Sequence, residues 1–501
     1  MTPRKAHLAA PTLHPTGIHL MPDHSRVIVR PFIPGDPDSV RRIIARAMAL
    51  DEPAVARELG LLHEQFDSRH PDLERAWERQ FQLLGQRVPH HADLSRNRQL
   101  YVGALFSGEY AVESAALFNP SIVPHPDQSG LGENELRFIL SLRATGEGHI
   151  SSIAFRTGVI AADHDIVLDP IGERITAPEL STDPIFHRGS FFRKLRELEF
   201  DGPWSEQLRQ SLGDRFSLKE LEAAMHTAAG TTRSSQRESS RTRECIQWLA
   251  SINYEVRFHP ETPLGERVIF PNSSIESNGI EDARFVRFTD DDGTVIYYAT
   301  YTAYSGHAII PQLLETSDFD TFRSISLNGS SVRNKGMSLF PRRIGGKYAM
   351  ISRQDDENLY IMFSENPHTW EDSRLLQRPV HGWEAVKIGN CGSPIETPDG
   401  WLLLTHGVGA MRRYCIGAML LDLDDPTIVL GHLRLPLIEP DEPLRNGYVP
   451  NVVYTCGALV HGSRLILPYG LSDTSTTLST IDLRELLEAF QKQGSDESIN
   501  H

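Results

Sequence analysis

The segment GIEDARFVRF (279–288) sets two carboxylates side by side, Glu281 and Asp282, with Arg284 two residues further on. Side chains alternate along an extended segment, so one acid can face a site while the other pairs inside the sheet. An Asp that donates a proton needs a raised pKa or a relay to carry the proton, whereas nearby cations hold an Asp down. On these residues alone, a general acid and a structural Asp–Arg pair both stay open. A second polar interruption is ALFNPSIVPHPDQ (116–128), which carries Asn119 and Ser121. An Asn amide both donates and accepts, which suits sugar hydroxyls. It suits a turn equally well, and the turn is the simpler reading.

A repeat gives these residues a frame. LRFILSLRATG, TVIYYATYTAYSG, GKYAMISRQDD, GWLLLTHGVG and SRLILPYGLSD start at 136, 294, 346, 400 and 463. Each is an apolar run that turns abruptly polar, and the last four starts are 52, 54 and 63 residues apart. Periods of this size suit four-stranded propeller blades, so the pattern predicts an all-β core built as a five-bladed β-propeller. A sandwich or several separate sheets is the competing architecture. In a propeller the innermost strands line a central channel. The runs end in Arg143, Tyr304, Arg353, His406 and Asp473, a set able to read sugar hydroxyls and an anion. Each of these alone reads more simply as a salt bridge or structural hydrogen bond; the recurrence singles out the set.

Other chemistry is absent from the sequence. There is no GxSxG elbow, HExxH pair, P-loop or GxGxxG opening a helix. The 21 histidines are scattered, and no ligand spacing marks a metal set. Four cysteines, Cys245, Cys391, Cys415 and Cys456, form no CxxC pair and indicate neither disulfides nor zinc.

The 501 residues carry 50 basic and 66 acidic side chains, a net charge of −16. That balance argues against nucleic acid as the main partner but leaves room for a small basic pocket. With 40% apolar residues the chain can bury a sizeable core. No apolar run is long enough to span a membrane. The start, MTPRKAHLAAPTLHPTG, has no apolar stretch of signal-peptide type. A cytoplasmic protein is the expectation.

Residues 1–97 read as a loose leader to about 25, a short strand, and a helical region. Residues 98–485 read as the propeller, interrupted by a helical insertion at about 188–252. Within it the polar stretch GTTRSSQRESSRTR (230–243) is expected to loop out. Residues 486–501 read as a terminal helix fraying into a tail.

The motifs FNPS (118–121), LSLRATGEGHISSIAFRTG (140–158), GIEDARF (279–285), YTAYSG (301–306), NKGMSLFPRRIGGKYAMISR (334–353), GWLLLTHGVG (400–409) and YGLSDT (469–474) occur in order. Together they resemble glycoside hydrolase family 130, β-mannoside phosphorylases and β-mannosidases on a five-bladed propeller. The resemblance covers about residues 100–485. It implies that Asp282 is the catalytic acid, with Ala283 where the family usually has Pro, and that a mannose hydroxyl relays its proton. It implies that Asn119, Arg143 and Asp473 hold the sugar before the cleaved bond; Arg284 of GIEDARF and the repeat-ending Tyr304 are further candidate sugar-binding residues. It implies that Lys335, Arg353, His406 and Tyr414 hold phosphate, a co-substrate, with no other cofactor. SLRATGEGHISS departs from the family's Arg-x-x-Asp pattern, which leaves the sugar undefined.

Inverting hydrolysis needs a carboxylate base opposite the acid. Phosphorolysis instead needs cations that bind and orient phosphate. Keeping Arg353, His406 and Tyr414 favours an inverting phosphorylase that releases mannose 1-phosphate. Glu357, Glu384 and Glu396 are the bases a hydrolase could use. A transferase and a non-catalytic sugar-binding propeller are the other readings. The N-terminal helical region can cover a propeller face, cap the site or form a homo-oligomer contact.

Overall fold

The computed structural model describes residues 10–494 apart from 71, 173, 229–235, 442–444 and 446; of 236–239 and 491–494 only the backbone is described. The core is mostly β, built as several sheets. Ala116–Pro124, Leu136–Thr145 and Ser151–Ile160 are neighbours in the first. Gly279–Thr289, Val295–Tyr304, Ile309–Thr316 and Thr321–Ser326 follow, joined to the first group at one parallel pair, Gly279 with Ser151. The third sheet orders Ser338–Leu339, Tyr348–Ser352, Leu359–Ser364 and Ser373–Gln377. The fourth orders Lys387–Asn390, Gly400–Gly409, Arg413–Leu421 and Val429–His432. The last orders Val453–Tyr454, Arg464–Leu471, Ser475–Asp482 and Leu13–Leu20.

The recurring apolar strand of the sequence stands second in every one of these groups, not first. Leading it is another strand, in three of the five groups only two to four residues long, and those five leading strands carry Asn119, Asp282, Ser338, Asn390 and Tyr454. The misplacement has a physical cause. A strand flanked by partners and covered on both faces reads as a continuous apolar run, and all ten residues of Gly400–Gly409 are buried. A strand lining a polar site lacks that signature, so the eye finds its neighbour.

The expected leader is largely strand where it is described, while residues 1–9 of it lie outside the described residues. Leu13–Leu20 pairs antiparallel with Ser475–Asp482, so the beginning and end of the chain share one sheet. Its His and Pro content hides the apolar anchors: Leu13 packs onto one buried cluster and Leu20 into another. Asp23–Pro31 pairs in turn with Ser107–Glu113. That pair is tied to the first sheet by a buried charge cluster. Glu113, without solvent exposure, takes two 2.9 Å hydrogen bonds from Arg156 Nη2 and pairs with Arg26.

Between these two strands lie the helices Pro37–Ala49, Glu52–Phe66, Leu73–Leu84 and Arg96–Leu105. Asp36, Asp51 and Ser95 cap three of them by accepting backbone N–H groups of the first turn. The insertion forms Arg188–Glu197, Pro203–Ser211, Leu218–Ala228 and Gln236–Ile252. Its aromatics, among them Phe191, Trp204 and Phe216, share a buried cluster with Phe155, Phe285 and Phe322 of the sheets. Of the stretch expected to loop out, 230–235 lies outside the described residues, while 236–243 is helix. Gln, Arg and Glu are good helix formers, and the apolar half of the same helix, Ile246 and Leu249, anchors it. Helix Leu483–Gly494 packs Leu486, Leu487 and Phe490 into the core; the expected frayed end, 495–501, lies outside the described residues.

Candidate active site

Three strained backbone positions converge. Asn119, Asp282 and Asp473 hold left-handed φ angles of 49, 54 and 50°. The first two sit where the strand register shifts, between Phe118 and Ser121 and between Glu281 and Arg284. Each shift is a bulge that re-aims a side chain. Asn and Asp tolerate this conformation better than other non-glycine residues, which explains their type here. Strain of this kind gathers at functional sites.

The two bulges are locked together. Asn119 Nδ2 donates to Asp282 Oδ1 at 2.6 Å, and the Phe285 N–H donates to Ser121 Oγ at 3.1 Å. Arg143 Nη1 reaches the same Asp282 oxygen at 3.3 Å, its Nη2 reaches Glu281 at 2.7 Å, and its Nε donates to Ser151 Oγ at 2.9 Å. Arg284 turns back on the Asp282 carbonyl at 3.0 Å and donates to the Tyr454 hydroxyl at 2.7 Å. Lys335 Nζ stands 3.7 Å from Glu281. Arg143 thus bridges the adjacent acids, with Lys335 on the Glu281 side and Asn119 on the Asp282 side.

A second group joins through Tyr454, whose ring meets His406 edge-on at 4.9 Å. Arg353 Nη1 donates to His406 Nε2 at 2.9 Å, and His406 Nδ1–H donates to the Asn390 carbonyl at 3.3 Å. With one nitrogen accepting from an arginine and the other donating, the imidazole is neutral. Burial, then Arg353 and Arg284, push its pKa well below the ordinary histidine value. Tyr414 stacks on the same ring at 6.0 Å. Arg353 also pairs with Asp356 at 3.1 Å, which Lys387 shares at 2.7 Å.

Nine of the ten residues singled out in the sequence therefore fall into this one network or face it. Asp473 belongs by electrostatics, coupling to Asp282, Arg143 and Lys335. Tyr304 does not join: it ends its strand opposite Gly279, and among the described residues its hydroxyl makes no hydrogen bond to the others. A long apolar strand ending in Tyr looked equivalent to the rest, but its side chain is not drawn in. Sequence reading missed Tyr454, Asn390 and Asp356. Tyr454 and Asn390 lie on leading strands too short to show a pattern, and Asp356 follows Arg353 in a turn.

Two of the three candidate hydrolytic bases are engaged elsewhere, and the third is exposed. Glu384 caps its own turn through Val380 and His381. Glu396 holds Arg342 with two contacts of 2.9 and 2.8 Å. Glu357 lies exposed in a turn whose backbone pairs with Ile388.

Two carboxylates of the site are driven apart. Burial favours a neutral Asp282, but Arg143, Arg284, Lys335 and the Asn119 amide together lower its pKa to about 2. Burial, then repulsion from Asp282, raises Asp473 to about 6. A carboxyl with a raised folded pKa costs stability when ionised. That cost is full above about pH 6 and is relieved as pH falls from there toward the ordinary 3.8. Wild type is therefore expected to gain roughly 2–3 kcal/mol relative to Asp473→Asn across that window. Paired thermal melts on either side of pH 6 check it; parallel curves for the two proteins count against the assignment.

Comparison with known proteins follows the same lines. A family model of glycoside hydrolase family 130, described as beta-1,4-mannooligosaccharide phosphorylase, matches residues 238–492. A 1,2-beta-oligomannan phosphorylase of Thermoanaerobacter sp. (strain X514) is 32% identical over 234 residues, 44% of this chain and 75% of its own. A beta-1,2-mannobiose phosphorylase of Listeria innocua is 33% identical over 262 residues, 50% of this chain and 72% of its own. The solved complex of beta-1,2-mannobiose phosphorylase from Listeria innocua with beta-1,2-mannobiose superposes with a TM-score of 0.44 at 22% identity, over 76% of this chain and 93% of that one.

Proposed function

Since this chain belongs to glycoside hydrolase family 130 and is an enzyme of that family, we propose that it is an inverting phosphorylase acting on β-mannosides. In this reading phosphate oxygen forms a bond to C1 on the face opposite the leaving group, the glycosidic C1–O bond breaks, and mannose 1-phosphate departs. The leaving oxygen takes a proton supplied by Asp282 through a mannose hydroxyl. Asn119, Arg143 and Asp473 hold that sugar, and Arg284 fixes the Asp282 backbone. Arg353, Lys335 and Tyr414 receive phosphate, with His406 setting the Arg353 guanidinium.

One observation carries the choice of phosphate over water: Arg353 and His406 reach the Asp282 group through the ring of Tyr454, while Glu384 and Glu396 are engaged elsewhere and Glu357 lies exposed in a turn. An anionic nucleophile needs cations and no base; water needs the base. We further read the five strand groups as the blades of a five-bladed propeller, because each places a leading strand that carries a site-facing residue beside the recurring apolar one. In that reading Leu13–Leu20 completes the last blade and helix Leu483–Gly494 packs onto it, so the limits 1–97, 98–485 and 486–501 mark the helical region and the β core only roughly. No described helix is long and apolar enough to cross a membrane. The four free thiols suit a reducing compartment, and we propose the cytoplasm.

The test is product analysis on β-mannobioses and mannosyl-glucose with and without inorganic phosphate. Mannose 1-phosphate formed only when phosphate is present is the expected outcome. Free mannose released at the same rate in both arms would mean hydrolysis, and the phosphate assignment would fall.

A further inference from the structure

Behind the strand that carries His406, three metal-ligating side chains meet. His381, Glu384 and His432 each offer a ligand atom, all within 4.8 Å of one another. The linear sequence hides the group: His381 and Glu384 flank one short turn, and His432 arrives on the edge strand Val429–His432. The turn is pressed against the sheet. A Cβ placed on Gly407 would lie 2.4 Å from the Trp383 ring and 2.6 Å from Glu384 Cβ, so only glycine admits this contact.

Glu384 has no solvent exposure, yet only half of its carboxylate is used. Oε1 accepts the N–H groups of Val380 and His381 at 2.7 and 3.0 Å. Oε2 lies 3.4 Å from His432 Nε2 without hydrogen-bond geometry. That oxygen and His432 Nε2 have only each other at this distance, and His432 Nδ1 lacks a hydrogen-bond partner. Leaving buried polar atoms unsatisfied is costly, and each such group calls for an explanation. Zinc supplies one. Tetrahedral bonds of 2.0–2.2 Å place ligand atoms about 3.4 Å apart, the spacing the Glu384–His432 pair already has.

We propose that His381, Glu384 and His432 bind one divalent transition metal of the zinc class, with water completing the shell. Two imidazoles and a carboxylate suit zinc and its neighbours and do not suit calcium or magnesium, which want oxygen. The His381 ring also accepts the Glu384 N–H in the cap of this turn, so binding exchanges that cap bond for a coordinate bond. The metal would clamp the turn to the edge strand, and through Trp383 and Gly407 it would brace the strand next to His406 from behind.

The experiment uses the full chain, stripped with a chelator and dialysed against zinc or cobalt. Expected are one retained metal per chain, a rise in melting temperature that chelator reverses, and a cobalt spectrum of tetrahedral type. Quenching by cobalt of the tryptophan emission is also expected, since the His381 and His432 rings both lie 6.4 Å from Trp383. His432→Gln and His381→Gln should each lose the retained metal and the thermal shift. Their chelator-treated melting should stay near that of the stripped wild type. Glu384 is left intact because its removal would also uncap the turn. The proposal is overturned if the wild type retains no metal, or if both variants retain as much as wild type.

Discussion

Asp282→Asn is expected to lower turnover by about a hundredfold to ten-thousandfold, the range a positioned general acid contributes, while the protein stays folded and still binds mannoside. The substitution suits such a test. Asn tolerates the left-handed backbone at this position, where φ is 54°. An amide oxygen can still accept from Asn119 Nδ2, which donates to Asp282 at 2.6 Å in the wild type. What disappears is the exchangeable carboxyl proton. Stopped assays would read kcat, and calorimetry with the uncleaved mannoside would read affinity. Activity within tenfold of wild type would remove Asp282 from the acid role.

The electrostatics add a condition. With a pKa lowered to about 2, Asp282 is ionised in the free protein near neutrality. Arg143, Arg284 and Lys335 hold it there. A phosphate anion bound beside Lys335 would offset part of that positive charge and raise the Asp282 pKa. Loading of the nucleophile and protonation of the acid would then favour each other by linkage. Net proton uptake on phosphate binding, lost in Asp282→Asn, is the corresponding signature.

The division of this site into legible and hidden parts has a physical logic. Arg143, Arg353, His406 and Asp473 were legible because each lies in the second half of, or just after, a largely buried strand that makes a clear apolar run. The bulges at Asn119 and Asp282 were half visible: the polar interruption shows, the left-handed turn of the backbone does not. Tyr454 and Asn390 were hidden, since two- and four-residue strands have no periodicity to read. Tyr304 matches the same pattern at the end of Val295–Tyr304, yet among the described residues it makes no hydrogen bond to the other site residues. The Leu13–Leu20 strand was lost for another reason. Its partner, Ser475–Asp482, lies at the far end of the chain, and pairing at such separation leaves no local mark. The His381–Glu384–His432 group depends on the same kind of long-range meeting.

Arg353→Ala is expected to raise the KM for phosphate by roughly ten- to a hundredfold, what losing one charge-assisted contact of about 1.5–3 kcal/mol produces. The mannoside KM should change far less, because Arg143 and Asn119, the residues proposed to hold the sugar, lie on other strands and contact Asp282. Arg353→Lys should recover only part of the loss, since an ammonium cannot present a planar fork to phosphate. In the free protein the guanidinium is already spoken for by His406 at 2.9 Å and Asp356 at 3.1 Å. Asp356, half exposed and shared with Lys387, is the partner that phosphate would displace. Asp356→Asn should therefore lower the phosphate KM, or leave it unchanged, rather than raise it. His406→Ala should raise it with little effect on the mannoside, because a neutral imidazole here orients the arginine and carries no charge of its own. If Arg353→Ala raises both KM values together, the arginine supports the site as a whole, and the cationic pocket must be sought around Lys335. If neither moves, phosphate is not the nucleophile that this network was built to hold.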